Sequence, residues 1–222
     1  MNSAHRYGLA AGFVALSAIV SVVAAPELPG TLVSNWNAAG EPNGTMSKTA
    51  ALTLTPVISA ALLVVFALIP RIDPLRANYE EFREYYDWFL VVMTAYLFVV
   101  HAGIVAFNLG YEFDFTVLIL AAVAGLFYYI GVVLDHAERN WFVGIRTPWT
   151  LSSEEVWNRT HALGAKLFKL TAVSTFAGLL AGEYAIYFLL VPALLTAGVT
   201  IVYSYVLYAR LEREGGASNA GV

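Results

Sequence analysis

Cysteine is absent from the chain, which removes disulfides, thiolate nucleophiles and sulfur-ligated zinc or iron–sulfur centres. Charge is scarce too: 13% of residues carry one, against about 25% in an average soluble domain. With 59% of its 222 residues hydrophobic, the chain has too little polar surface to cover a water-facing globule. The net charge of -4 and the lack of any basic run argue against direct nucleic-acid binding. No Gly-rich phosphate loop, G-x-S-x-G or H-E-x-x-H occurs, and His5, His101, His136 and His161 do not share metal-ligand spacing. The apolar runs hold almost no carboxylates for acid–base work inside a membrane. The expectation is a protein without catalytic residues, metal or cofactor.

What the chain does contain is long apolar runs. They cover Tyr7 to Ala25, Thr49 to Ile69, Asp87 to Phe107, Phe115 to Leu134, Leu167 to Ala181 and Tyr184 to Ala209. About 20 apolar residues suffice to cross a bilayer, and a lone strand there would leave its backbone unpaired, so each run is read as a helix. The first could pass for a signal peptide, but its length and Pro26 favour a retained helix. The last two are divided only by Gly182-Glu183 and should form a tight helical hairpin. Pro192 inside the last run should kink the helix or free a carbonyl near residue 188. Gly8 with Gly12, and Gly178 with Gly182, could form small faces for close helix contact. His101, within the third run, is read as a neutral imidazole bonded to a neighbouring helix, or else as a proton or ligand site.

Charge supplies an orientation. With the N-terminus inside, the inner segments hold 11 of the 12 basic residues and the outer ones only Lys48. The expected fold is therefore an all-α polytopic bundle of six transmembrane helices in the cell membrane, N- and C-termini cytoplasmic. Residues 1–80 form a two-helix unit with an outer loop, and residues 81–222 a four-helix unit with an inner polar segment. The outer face is acidic, with Glu27, Glu41, Glu112, Asp114 and Glu183. Such a rim could attract a cation, or could merely reflect exclusion of basic residues from outer loops.

Two polar segments carry the motifs. The outer one, Pro26 to Lys48, is rich in Pro, Gly and Asn and reads as a structured turn-rich loop. Its Trp36 suits either an interface anchor or a ligand surface, and Asn43-Gly44-Thr45 matches a glycosylation acceptor. The inner one runs from Asn140 to His161. Ser152 with Glu155 fits a capping box, so a helix should start near Ser153. Val156, Trp157, Thr160, Gly164, Leu167 and Phe168 would share its packed face, with Arg146, Arg159 and His161 near Glu154 and Glu155 or facing the cytosol. Three tryptophans among charges suggest a re-entrant or interfacial element, or a partner surface.

The inner segment resembles the signature of the SdpI family of bacterial and archaeal membrane proteins. The matching residues are Asn140, the run Gly144, Ile145, Arg146, Thr147, Pro148, Trp149, Thr150 and Leu151, then Ser153, Glu155, Trp157, Thr160 and His161. The outer loop is similar to a small N-terminal domain of unknown function often joined to that family, through Trp36, Asn37, Gly40 and Lys48. Asn35 stands where relatives often have His, and Asn43 where an acidic residue is common. The resemblance implies a toxin-immunity and signalling protein. It implies an extracellular peptide as ligand at the outer residues and a cytoplasmic regulator as partner at the inner ones. The alternative expectation is a small transporter or permease, with His101 and Pro192 near a substrate path.

Overall fold

The computed structural model describes residues 2–219, with side chains described as far as residue 214. Helices dominate them: α1 (Ser3–Ala24), α2 (Lys48–Ile72), α3 (Tyr79–Asn108), α4 (Phe115–His136), α5 (Pro148–Ser152), α6 (Glu154–Gly178) and α7 (Tyr187–Asn219). Five stretches are long and apolar enough to cross a membrane: Ser3–Ala24, Lys48–Ile72, Arg76–Asn108, Phe115–His136 and Gly182–Glu214. The protein is thus an all-α membrane protein in its main architecture. α6 is long enough but less apolar, because Glu154, Glu155, Arg159, Lys166 and Lys169 crowd its first two turns and middle.

One small element departs from the all-helical expectation. The outer loop folds as an antiparallel hairpin of β1 (Thr31–Trp36) and β2 (Pro42–Ser47), its register shifted after Val33. The turn is built by Asn37. Its side-chain oxygen accepts from the Ala39 and Glu41 backbone N–H groups, both at 2.9 Å, while Gly40 takes φ +80°. A side-chain oxygen closing the chain on itself in this way is a strong local turn signal. The strands themselves were masked in the sequence by their Asn, Gly and Ser content.

Helices α1, α2 and α3 pack together, as do α4, α6 and α7, and α3 against α4 joins the two groups. The α1–α3 seam is more polar than a membrane interior usually is. Asp87, Thr94 and His101 follow one another at seven-residue steps along α3 and are all buried. At the first step Arg6 of α1 reaches Glu84 at 2.5 Å and lies 3.9 Å from Asp87, which also takes Arg83 at 3.1 Å. At the third, Ser21 of α1 meets His101 Nε2 at 2.8 Å. His101 is therefore bonded to a neighbouring helix.

Each proline inside a long helix leaves the carbonyl four residues earlier without its N–H donor. Here every such carbonyl is taken by a hydroxyl from another helix. Opposite Pro56, Leu52 O accepts from Ser21 at 2.7 Å. Opposite Pro70, Phe66 O accepts from Tyr86 at 2.7 Å and Tyr7 at 3.1 Å. Opposite Pro192, Phe188 O accepts from Ser174 at 3.0 Å. In lipid an unpaired carbonyl costs several kcal/mol, roughly, so these pairings are what make the prolines tolerable.

The small-residue faces behave differently from expectation. Gly8 and Gly12 are exposed, with nothing within 4 Å of where a Cβ would sit, so α1 turns its polar stripe inward instead. Gly178 is a true close contact, a Cβ there striking Phe188, while Gly182 serves the turn into α7 with φ +58°. The chain between α6 and α7 is the tight break expected at Gly182-Glu183, formed by a short 3-10 turn over Gly182–Tyr184.

Candidate functional site at the two ends of helix α3

The outer end of α3 holds the hairpin. Asn108 reads the Val33 backbone on both sides, accepting its N–H at 2.8 Å and donating to its carbonyl at 2.9 Å. Trp36 then lies flat on Phe115 of α4, ring centroids 3.6 Å apart, and edge-on to Phe107 of α3 at 5.2 Å. Its indole N–H is buried with no acceptor. Lys48 folds back onto the chain: Nζ donates to Ala25 O at 3.0 Å and Leu28 O at 2.9 Å, closing the end of α1. Of the four outer residues singled out, Trp36 and Asn37 come together in the wall of a cavity of about 270 Å³. Gly40 packs beside it on Thr116, and Lys48 is a brace for α1 and the hairpin base.

At the inner end of α3, Asn140 is fully buried and uses every hydrogen-bonding position it has. Its oxygen accepts from Tyr79 at 3.0 Å, Phe142 N at 2.9 Å and Val143 N at 2.6 Å, and its amide donates to the Glu138 and Val143 carbonyls. Buried Asp73, just after α2, accepts from Leu75 N, Trp141 N and the Tyr79 hydroxyl. Neither Asp73 nor Tyr79 was singled out from sequence, since an Asp before Pro and a Tyr before a Glu pair look like ordinary loop and helix-start residues.

The second half of the inner segment closes on α6. Thr147 and Thr150 cap α5 reciprocally, with Pro148 in its first turn, and Thr147 also donates to Ser204 of α7 at 3.2 Å. The helix start is as expected within one residue: Ser153, not Ser152, accepts from Val156 N, because Ser152 is used to end α5. Val156, Trp157, Thr160 and Gly164 are buried on the packed face. Glu155 pairs with Arg159 at 2.6 Å on the exposed side. Arg146 is exposed and donates to Trp141 O at 2.6 Å, and Trp149 packs on Tyr205.

His161 corrects the expectation of a charge-facing side chain. It is buried, stacked on Trp157 at 3.9 Å, and faces inward because Gly144 and Ile145 cover it. Nδ1 donates to Trp157 O at 2.9 Å and Nε2 accepts from Ile145 N at 3.0 Å. Only the neutral Nδ1–H tautomer can do both. Burial pushes its pKa down to about 4. Gly144 sits against it with φ +117°, a place where a Cβ would strike the ring. Beside this loop, Phe66, Phe89, Leu134, Phe142, Ile145 and Phe168 line an apolar cavity of about 300 Å³. No group of His, Asp or Glu among the described residues is arranged to hold a metal ion.

Comparison with known proteins follows the same two segments. Residues 136–204 match the model of the SdpI/YfhL protein family, and residues 12–60 match a domain of unknown function, DUF1648. The chain is 27% identical to the immunity protein SdpI of Bacillus subtilis (strain 168) over 204 residues, 89% of this chain and 93% of that protein. No solved structure matches it. The first match takes in the inner segment, α6 and α7 as far as Ser204, and the second takes in the latter part of α1, the hairpin and the first half of α2. The chain is a multi-pass protein of the cell membrane in which a stretch matching the SdpI/YfhL family follows one matching DUF1648.

Proposed function

We propose that this protein is an immunity-type membrane protein that protects its producer against a secreted antimicrobial peptide and relays the peptide's presence to the cytoplasmic side. The proposal has no catalytic step. The observation that carries it is the placement of both motif-bearing segments at the two ends of α3, which departs from helical geometry only at Phe82, near its first turn. Asn108 holds the hairpin at one end of the 30-residue α3, and Tyr79 holds the inner segment at the other. The uninterrupted part, from residue 83 to Asn108, rises about 39 Å, more than the hydrocarbon core of a bilayer.

The orientation that suits this role has six crossings, with both termini and the inner segment cytoplasmic and the hairpin outside. The charge distribution supports it, 11 of 12 basic residues falling inside. α6 can serve as the sixth span despite its composition. Lys169 is neutralised by Asp135 of α4, and the residues after it in α6 are uncharged. Arg146, Trp141 and Phe142 are exposed on the inner loop and offer a surface for a cytoplasmic regulator.

A transport path through His101 is less well supported. His101 is fully buried, bonded to Ser21, and lies in the wall of neither the outer nor the inner cavity. The direct test is expression in a host sensitive to a secreted killing peptide, with Trp36→Ala and Arg146→Ala beside the wild type. Protection by the wild type that is lost with Trp36→Ala is the expected outcome. Failure of the wild type to protect against any candidate peptide would discard the immunity reading.

A further inference from the structure

The inner cavity of about 300 Å³ is walled by Ile69 of α2, Phe89 of α3, Leu134 of α4, Phe168 of α6, and Phe142 and Ile145 of the inner loop. None of its lining residues has a polar side chain, so water there would find too few partners to stay. α3 packs on α4, whereas α2 and α6 are not among the packed pairs, and the cavity takes a wall from each of them. Phe142 is exposed as well as being a wall residue, so the cavity reaches the surface there. That opening lies at the inner edge of an apolar span, since Ile69 of the same wall is in the last turn of α2. Two more exposed residues bracket the wall segment 142–145. Arg146 donates from Nη1 to Trp141 O at 2.6 Å, which holds the guanidinium at the peptide joining Trp141 to Phe142. Arg146 is in no ion pair among the described residues. Trp141 is tied in turn to the end of α2, its backbone N–H donating to Asp73 at 2.9 Å.

We propose that this cavity holds one acyl chain of an anionic phospholipid, with Trp141 at the level of the glycerol esters and the Arg146 guanidinium on the headgroup phosphate. Within the span, hydrocarbon is what reaches an apolar slot, and a chain enters sideways where two helices are not packed. Tryptophan favours the boundary between chains and headgroups, and the planar donor fork of arginine matches a phosphate. A guanidinium with no carboxylate beside it favours a headgroup of net negative charge. The bound lipid ties residues 141–146 to the membrane, at the loop that covers His161. The proposal needs the spans and the inner loop beside them, and it goes beyond the immunity reading without resting on it. An acidic segment of a regulator on the same exposed residues is the competing outcome.

The test titrates the full chain in dodecyl maltoside with dioleoyl phosphatidylglycerol or dioleoyl phosphatidylcholine. Bound lipid is counted by native mass spectrometry, and the melting temperature is followed beside it. Glycerol phosphate supplies the headgroup chemistry without a chain, and acetyl-Glu-Leu-Phe-Glu-amide an acidic segment without a lipid. One phosphatidylglycerol should bind in preference to phosphatidylcholine and raise the melting temperature, and neither soluble probe should do so. Arg146→Gln should weaken phosphatidylglycerol about fivefold, the effect of one basic residue near an anionic surface, and erase the preference. Ile130→Trp, in the cavity wall, should fill the space and remove the single tight lipid. Its melting in lipid-free detergent checks that it folds, and Arg146→Gln decides alone if it does not. Equal binding of the two lipids, an undiminished preference in Arg146→Gln, or the tight lipid retained in a folded Ile130→Trp overturns the proposal. A melting shift from glycerol phosphate, or Arg146-dependent binding of the acidic peptide, overturns it in favour of a free anion or a regulator. Protection of a sensitive host without a lipid preference would discard the lipid site and leave the immunity reading standing. A lipid preference without protection would do the reverse.

Discussion

His161 shows how one side chain can hold a loop by its protonation state. Both ring nitrogens are in use only while the ring is neutral, since a second ring proton would face the Ile145 N–H. The folded pKa, about 4, lies below the unfolded value of 6.5, so the unfolded chain binds the proton more readily. Stability is therefore full above about pH 6.5 and falls as the pH drops toward 4, by up to about 3 kcal/mol in total. Thermal unfolding in detergent between pH 4 and 7.5 should show this slope, and His161→Gln should lack it while being less stable at pH 7. A neighbouring prediction concerns Gly144. Alanine there would combine a left-handed backbone with a clash against the imidazole, and should cost on the order of 2 kcal/mol or more. A melting temperature of Gly144→Ala equal to wild type would contradict this account of the loop.

Among the elements, the proline-bearing helices make a coupled prediction. Tyr86→Phe removes the shorter of the two hydrogen bonds to the carbonyl that Pro70 leaves free. In the wild type it should cost about 0.6–1.7 kcal/mol, the range of interhelical hydrogen bonds in membranes. In a Pro70→Ala background the helix supplies its own donor to Phe66 O, so the same substitution should cost less. A double-mutant cycle on unfolding free energy reads the difference directly, and strict additivity would show that the tyrosine is not there for the proline. Expectation from sequence reached half of this. That Pro192 would free a carbonyl near residue 188 follows from local geometry, whereas Ser174 as its partner depends on how α6 lies against α7.

For the whole molecule, the topology is open to a clean measurement because the chain has no cysteine of its own. Single cysteines at Asn43, exposed on β2, and at Asn158, exposed on α6, can be labelled with no background. An impermeant maleimide should reach Asn43→Cys in intact cells and Asn158→Cys only after permeabilisation. Labelling of both from outside would remove the six-span arrangement and with it the division of the two sites between the faces of the membrane.

Composition and charge alone determined that this is a helical membrane protein, where most of its spans run, and that its polar motifs lie in two separate segments. Those properties depend on transfer of each stretch between water and lipid, which is local to the stretch. The start of α6 was likewise legible to within one residue, because capping is settled by neighbours in sequence. The tertiary structure alone decided what the motif residues do. Lys48 braces α1, Asn140 ties the inner loop to Tyr79, and His161 is buried and neutral. It also decided that Gly8 and Gly12 face outward while the α1–α3 seam is polar. Each of these rests on partners tens of residues away, and which partner arrives is set by the packing of whole helices.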